Sequence, residues 1–131
     1  MIVADTNVVS YLAIEGARTA SVERVRAKDR TWFVPSLFVH EWLNVVTLHV
    51  KQNLMDRDVA SRTYARGLSM VRIDERRPDP VEIINLHLRS GCTSYDCQFV
   101  ALAEDLGARL LTIDGEVLKA FPEIAVRPED F

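Results

Sequence analysis

The chain has 131 residues, of which 48% are hydrophobic and 27% charged, and its formal net charge is −3. These values are typical of a globular protein with one domain, residues 1–131, and they argue against a surface that coats nucleic acid broadly. The two cysteines are too few for a disulfide scaffold, and no stretch approaches the ~20 apolar residues of a membrane span. Because a signal-peptide pattern is also absent, we expect a cytoplasmic protein without a membrane partner.

The first half of the chain alternates short apolar runs with segments of helical spacing. In order, it predicts a strand, two helices, a second strand and two longer helices: Met1–Ala4, Val8–Ala13, Thr19–Lys28, Trp32–Val34, Ser36–Lys51 and Arg57–Leu68. Ser36 and Asp56 are suited to cap the last two helices. The helix that begins at Ser36 is apolar around most of its circumference, so we expect it to be buried on more than one face or to contact another subunit.

The second half continues the alternation. It predicts a strand, two helices, a strand, a short helix and an edge strand: Met70–Ile73, Pro80–Ser90, Thr93 or Ser94 to Leu106, Arg109–Ile113, Glu116–Ala120 and Ile124–Val126. Gly91 and Gly107 are suited to end the two helices before them. Strands that alternate with helices favour an α/β fold with a mostly parallel sheet covered on both faces.

Four acidic residues occupy comparable settings. Asp5 and Asp114 follow apolar strands, Asp96 opens a helix after a glycine-containing turn, and Glu41 lies inside an apolar helix. Each aspartate alone is explained as a helix cap or first-turn residue. Strand ends and helix N-termini share one edge of a parallel sheet, however, and four carboxylates there would repel one another without a cation. All-oxygen ligation suits Mg²⁺ or Mn²⁺.

Several short motifs in this order resemble a known family. They are Ile2-Val3-Ala4-Asp5-Thr6-Asn7, Pro35-Ser36-Leu37 with Glu41 after it, Ser94-Tyr95-Asp96-Cys97 with Ala101-Leu102-Ala103 behind it, and Leu111-Thr112-Ile113-Asp114. With these motifs the chain resembles the PIN-domain family over essentially its whole length. Within that family it is similar to the small VapC-like toxin ribonucleases of type II toxin–antitoxin pairs.

The resemblance implies a three-layer α/β/α sandwich and a metal-dependent endoribonuclease. It places the catalytic and metal-binding quartet at Asp5, Glu41, Asp96 and Asp114. Asn7 and Thr112 match supporting positions of the family. The implied cofactor is Mg²⁺ or Mn²⁺, the substrate is RNA, and the partner is a cognate antitoxin.

Two further expectations concern RNA and self-association. Arg62 and Arg66 are one turn apart on a predicted helix, so they are candidates for contacts with the RNA backbone, although a solvated surface charge also explains each of them. The long apolar helix makes a homodimer plausible. Two alternative functions stay open: a non-catalytic RNA- or ribosome-binding module on the same fold, and a receiver-type phosphotransfer domain that uses Asp5.

Overall fold

The structure, a computed structural model, describes residues 1–131. Its five strands are β1 (Ile2–Ala4), β2 (Trp32–Pro35), β3 (Arg72–Asp74), β4 (Arg109–Leu111) and β5 (Ala125–Val126). They form one sheet in the order β3-β2-β1-β4-β5, and every neighbouring pair is parallel. The central position of β1 follows from its pairing with both β2 and β4, and all five strands end at the same edge of the sheet.

Helices connect the strands and cover both faces of the sheet. They are α1 (Thr6–Ala13), α2 (Thr19–Lys28), α3 (Leu37–Lys51), α4 (Arg57–Ser69), α5 (Pro80–Ser90), α6 (Ser94–Leu106) and α7 (Gly115–Ala120), with a final 3₁₀ turn at Pro128–Asp130. Helices α1 to α4 bury side chains in one hydrophobic core, and α5 to α7 bury theirs in a second. None of the helices combines the length and the apolar character that crossing a membrane requires.

The two cores lie on opposite faces of the sheet because successive strand residues point in opposite directions. Ile2 and Ala4 of β1 belong to the core beneath α1–α4, whereas Val3 belongs to the core beneath α5–α7. Leu111 and Leu110 of β4 divide in the same way. The chain is therefore a three-layer α/β/α sandwich, as predicted, and its sheet is parallel throughout.

Three predicted details differ from the structure. Strand β3 begins at Arg72 rather than Met70, and β4 ends at Leu111 rather than Ile113. The end of β4 is set by its partner, since Leu111 pairs with Ala4, after which β1 gives way to α1. The Ser36 side chain makes no cap hydrogen bond, because its backbone is already helical in conformation.

The position of α3 depends on its contact with α4. Trp42 of α3 is fully buried, and its indole N–H donates to the carbonyl oxygen of Tyr64 at 3.0 Å. Gly67 lies beneath the indole, where an added Cβ would meet the ring atoms at 2.4 Å. Glycine at position 67 therefore permits the close approach of the two helices.

We expect Gly67→Ala to lower the free energy of unfolding by about 1–3 kcal/mol, because the methyl group forces Trp42 or α4 to move. Alanine is otherwise the better helix former, so a loss of stability would identify the clash as its cause. Urea denaturation followed by tryptophan fluorescence measures the change. Gly16→Ala is the matched control, since nothing lies within 4 Å of its added Cβ. Equal stabilities of the two variants would contradict this packing.

Candidate active site

Asp5 lies where the central strand ends, at the boundary between β1 and α1. Its Oδ1 accepts a hydrogen bond from the backbone N–H of Asn7 at 3.2 Å, which makes Asp5 the N-cap of α1. Its Oδ2 accepts from the hydroxyl of Thr112 at 2.7 Å. The side chain therefore both starts a helix and points towards the end of the neighbouring strand β4.

Glu41 reaches the same edge from the apolar helix α3. Its Oε1 accepts a hydrogen bond from the buried hydroxyl of Thr6 at 2.7 Å. Thr6 immediately follows Asp5, so this bond fixes the Glu41 carboxylate beside the end of β1. The aromatic residue next in sequence, Trp42, is buried against α4 and holds this part of α3 in place.

Asp96 lies in the first turn of α6 and takes part in a capping box with Thr93. Its Oδ2 accepts from the Thr93 hydroxyl at 2.8 Å and from the Thr93 backbone N–H at 3.3 Å, and its own N–H donates back to that hydroxyl at 3.1 Å. Asp5, Asp96 and Thr112 line one small cavity together with apolar side chains of α6, β4 and α7. This cavity is the space that Asp5 and Asp96 share.

Asp114 follows β4 and is the N-cap of α7. Its Oδ1 accepts from the backbone N–H groups of Glu116 at 2.8 Å and Val117 at 3.0 Å. The Thr112 hydroxyl, which donates to Asp5, also accepts from the Asp114 N–H at 3.0 Å. One hydroxyl therefore connects Asp5 to the turn that carries Asp114.

Burial and neighbouring carboxylates raise the pKa values of two of the acids, Asp5 and Glu41. Burial raises the pKa of Asp5 above its ordinary value, and repulsion by Asp96 and Asp114 adds to this effect. Burial likewise raises the pKa of Glu41, and repulsion by Asp5 and Asp96 adds to it. Hydrogen bonds from the Thr112 and Thr6 hydroxyls act in the opposite direction. Uncompensated negative charge therefore accumulates at this edge of the sheet.

The donor set fits a hard divalent cation. Glu41, Asp96 and Asp114 each use one carboxylate oxygen for hydrogen bonds within the protein and keep the other oxygen free of such bonds. Oxygen donors of this kind are the ligands of Mg²⁺ and Mn²⁺. No three acidic, histidine or cysteine side chains stand in a metal-ligating arrangement in the chain by itself. Simultaneous ligation would therefore require rotation of these side chains.

The supporting residues divide into those that contact the acids and those that do not. Thr112 contacts Asp5 through its hydroxyl, whereas the Asn7 contact uses its backbone N–H and its side chain is exposed. Sequence reasoning missed Thr6 and Thr93 as partners of the acids. Thr6 gave no signal beyond its place after Asp5, but the spacing of Thr93 and Asp96 matches a capping box.

The two arginines predicted to contact RNA lie on α4 and are exposed. Neither forms an ion pair. Arg66 lines a surface groove opposite the α1–α2 connection, where Glu15 and Glu23 are also found. The groove shares no lining residue with the cavity at Asp5 and Asp96.

Comparison with known families decides which family this architecture represents. The family model for the PIN domain matches residues 2–124. The chain belongs to the PIN domain family. This match covers β1 to α7 and includes all four acidic positions.

One relative by sequence and two solved structures support the same fold for this PIN domain. Ribonuclease VapC3 of Pyrobaculum aerophilum is 27% identical over 129 residues, which cover 94% of this chain and 96% of that protein. The crystal structure of PAE2754 from Pyrobaculum aerophilum superposes with a TM-score of 0.76 at 25% identity, covering 98% of this chain and 90% of the other. A chain of a toxin–antitoxin complex from Klebsiella pneumoniae gives a TM-score of 0.71 at 20% identity, with full coverage of both chains.

The raised pKa of Asp5 predicts how stability depends on pH in this PIN domain. A carboxyl group whose pKa is higher in the folded state stabilises the fold below its ordinary pKa, and this stability is lost as the pH rises through the folded value. We therefore expect Asp5→Asn to raise the free energy of unfolding around pH 7 in the presence of a chelator. The gain should disappear as the pH falls towards the ordinary value of 3.8.

Denaturant titrations at several pH values measure this difference. Asp74→Asn is the opposite-sign control, because hydrogen bonds from Arg76 lower the pKa of Asp74 and its stabilising effect exists above the ordinary pKa. A loss of stability in Asp5→Asn at every pH would mean that the hydrogen bonds to Asp5 outweigh its burial.

Proposed function

We propose that this PIN domain is an Mg²⁺- or Mn²⁺-dependent endoribonuclease and the toxin of a toxin–antitoxin pair. The observation that carries the proposal is the group of Asp5, Glu41 and Asp96 at the carboxyl edge of the central strand, where burial and mutual repulsion favour a cation. Support also comes from the relative named Ribonuclease VapC3, and the structural neighbour from a toxin–antitoxin complex has the same fold.

The proposed catalytic and metal-binding residues are Asp5, Glu41, Asp96 and Asp114. The chemistry that a divalent cation supplies at such a site is neutralisation of the carboxylates, polarisation of a phosphodiester and activation of water. Thr112 and Thr6 orient Asp5 and Glu41 through their hydroxyl groups. Hydrolysis by water leaves a 5′-phosphate and a 3′-hydroxyl on the RNA.

The proposed substrate is single-stranded or looped RNA. A small cavity lined by Asp5 and Asp96 has no room for a duplex, whereas an unpaired strand can bend its backbone towards the carboxylates. Arg62 and Arg66 are the proposed contacts to that backbone. The proposal also includes a cytoplasmic location and a homodimer.

A cognate antitoxin is the proposed inhibitor. Physically, an arginine or lysine side chain from the antitoxin is suited to the acidic site, because a guanidinium or ammonium group pairs with carboxylates and competes with a metal ion. Such a contact would neutralise the same charge that the cation neutralises.

Asp96→Asn should reduce Mg²⁺-dependent RNA cleavage by at least about a hundredfold, because the amide lacks the charge needed to hold a divalent cation. Asparagine keeps an oxygen that can accept the hydrogen bonds from Thr93, so we expect the fold to be retained. Cleavage of labelled single-stranded RNA and Mn²⁺ binding by calorimetry are the measurements.

Asp105→Asn is the matched control, since Asp105 is exposed on the same helix and its carboxylate pairs with Arg76 at 3.6 Å. Unchanged cleavage in Asp96→Asn would overturn the nuclease proposal. RNA binding without products at any metal concentration would favour a binding module instead, and an aspartyl-phosphate at Asp5 after treatment with a small phosphodonor would favour phosphotransfer.

Replacing Arg62 and Arg66 together with alanine should raise KM for RNA severalfold and leave kcat unchanged, because contacts to the backbone contribute equally to ground-state and transition-state binding. Steady-state kinetics at two salt concentrations measure the effect, and the salt dependence should become less steep. The control removes Arg24 and Arg30, which are also exposed. Arg30 precedes β2, and Arg66 lies near the end of α4, which leads into β3, so both lie towards the amino edge of the sheet and the two double variants are matched in position as well as in charge. Equal effects of the two double variants would assign the change to net charge alone.

A further inference from the structure

Tyr95 is the one exposed aromatic residue of this chain. It is 58% exposed, whereas every other phenylalanine, tyrosine and tryptophan is buried or half-buried. Tyr11 and Tyr64 pack against the core beneath α1–α4, but Tyr95 packs against neither core. A single apolar side chain in water is ordinary on a protein surface, so the surroundings of Tyr95 decide whether it has a role.

Tyr95 lies in the first turn of α6, directly before Asp96. Phe99, one turn later, lines the cavity that Asp96 shares with Asp5. Because residues four apart lie on one face of a helix, the Tyr95 ring lies on the same face as Phe99. Helical side chains lean towards the N-terminus, so the Tyr95 ring lies on the solvent side of Phe99. Tyr95 is therefore placed at the mouth of the acidic cavity.

The strands end before they reach Tyr95. Phe99 and Leu102, which share its face of α6, are 5% and 6% exposed because they are buried in the core beneath α5–α7. The first turn of α6 is level with residues that follow the strands, since Asp96 meets Asp5 and Thr112 there. No strand therefore covers the Tyr95 ring, which is left open to water beside the acidic cavity.

Charge excludes the commonest kind of RNA contact from this cavity. Its lining contains no arginine or lysine. A basic side chain placed here would pair with the carboxylates of Asp5 and Asp96 instead of with a phosphate. Stacking of a base on an aromatic ring depends on contact between two π-faces, so it can hold RNA beside acidic groups.

We propose that Tyr95 binds RNA by stacking on the base of a nucleotide next to the cleaved phosphodiester. Unpaired bases are commonly held in this way, and the contact tolerates all four bases because each has a π-face. The Cα atoms of Tyr95 and Asp96 are only ~3.8 Å apart, so one nucleotide can meet both side chains. The inference rests on the proposed endoribonuclease function and adds the residue that holds the strand at the site.

Tyr95→Ala should raise KM for a single-stranded RNA about tenfold and change kcat less than about twofold, because a stacked base contributes equally to ground-state and transition-state binding. Tyr95→Phe should keep KM within about threefold of wild type, since the ring remains. Steady-state kinetics measure both constants, and circular dichroism checks the fold of each variant.

Leu54→Ala is the matched control for these kinetics. Leu54 is 66% exposed in the connection between α3 and α4, at least ~15 Å beyond Glu41 along α3, so its loss should leave KM unchanged. An unchanged KM in Tyr95→Ala, or an equal increase in Leu54→Ala, would overturn the stacking contact. An increase in Tyr95→Phe as large as in Tyr95→Ala would overturn it too, because the hydroxyl group would then carry the effect.

Abasic substrates test whether the ring meets a base. Among RNAs that lack one base near the cleavage site, at least one should show a KM about tenfold higher with the wild-type protein. With Tyr95→Ala the same abasic RNA should bring no further increase, because the partner of the missing base is already absent. Multiplied losses of about a hundredfold at every abasic position would mean that ring and bases act independently, and would overturn the proposal.

Binding without cleavage separates this inference from the nuclease proposal. In Tyr95→Trp the new indole is exposed, whereas the native Trp32 and Trp42 are buried and give a constant background. The titrant is a single-stranded oligoribonucleotide of mixed sequence in the presence of Ca²⁺, which neutralises the carboxylates, and a gel checks that the RNA stays intact. Emission of the new indole should be quenched with saturation, and Leu54→Trp should show no saturable quenching.

The two proposals can fail separately in these experiments. Saturable quenching supports the stacking contact even if no variant cleaves RNA. Absence of quenching in Tyr95→Trp, or quenching only by a partner protein, would overturn the stacking contact even if the wild-type protein cleaves RNA.

Discussion

Accumulation of negative charge at the end of the central strand is the constraint on which the rest of this structure depends. Asp5 leaves the sheet between the ends of β2 and β4, where its carboxylate is largely removed from water. Asp96 and Glu41 face it from α6 and α3, and each arrives with its own threonine partner. The fold brings together groups that repel one another, and hydroxyl donors offset only part of that repulsion.

Three of the acids also have a local role at the start of a helix. Asp5, Asp96 and Asp114 all bind backbone N–H groups at helix N-termini. In Asp96 and Asp114 these hydrogen bonds use one carboxylate oxygen and leave the other oxygen available to a cation. An aspartate of this chain can therefore cap a helix and also belong to the acidic site. From the sequence alone, these two roles looked like alternatives.

Local sequence signals predicted the elements well because they act over a few residues. The apolar runs and cap residues identified all five strands and seven helices, and the PIN domain family is confirmed. Differences occur at strand ends such as Leu111, where the length of the partner strand decides the boundary. Ser36 does occupy the N-cap position of α3, but its side chain makes no cap hydrogen bond, because residue type alone does not fix backbone conformation.

Which acidic residues lie together was harder to predict from the sequence, because this depends on which strands become neighbours in the sheet. Asp74 also ends a strand, yet that strand, β3, lies at the edge of the sheet, and the Arg76 guanidinium pairs with the Asp74 carboxylate at 2.6 Å. The partnership of Thr6 with Glu41 joins residues 35 positions apart, and no periodicity could reveal it. The catalytic role of the four acids stays a prediction.

The approach of Gly67 to Trp42 has a consequence for how this chain can diverge. The space beneath the indole is shared, so neither position is free to vary by itself. A larger residue at position 67 becomes acceptable only after a smaller ring or an aliphatic side chain replaces Trp42, and that change also removes the donor to Tyr64. Substitutions at positions 42 and 67 should therefore be correlated in evolution. The change at Trp42, the residue next to Glu41, should come before any larger residue at position 67.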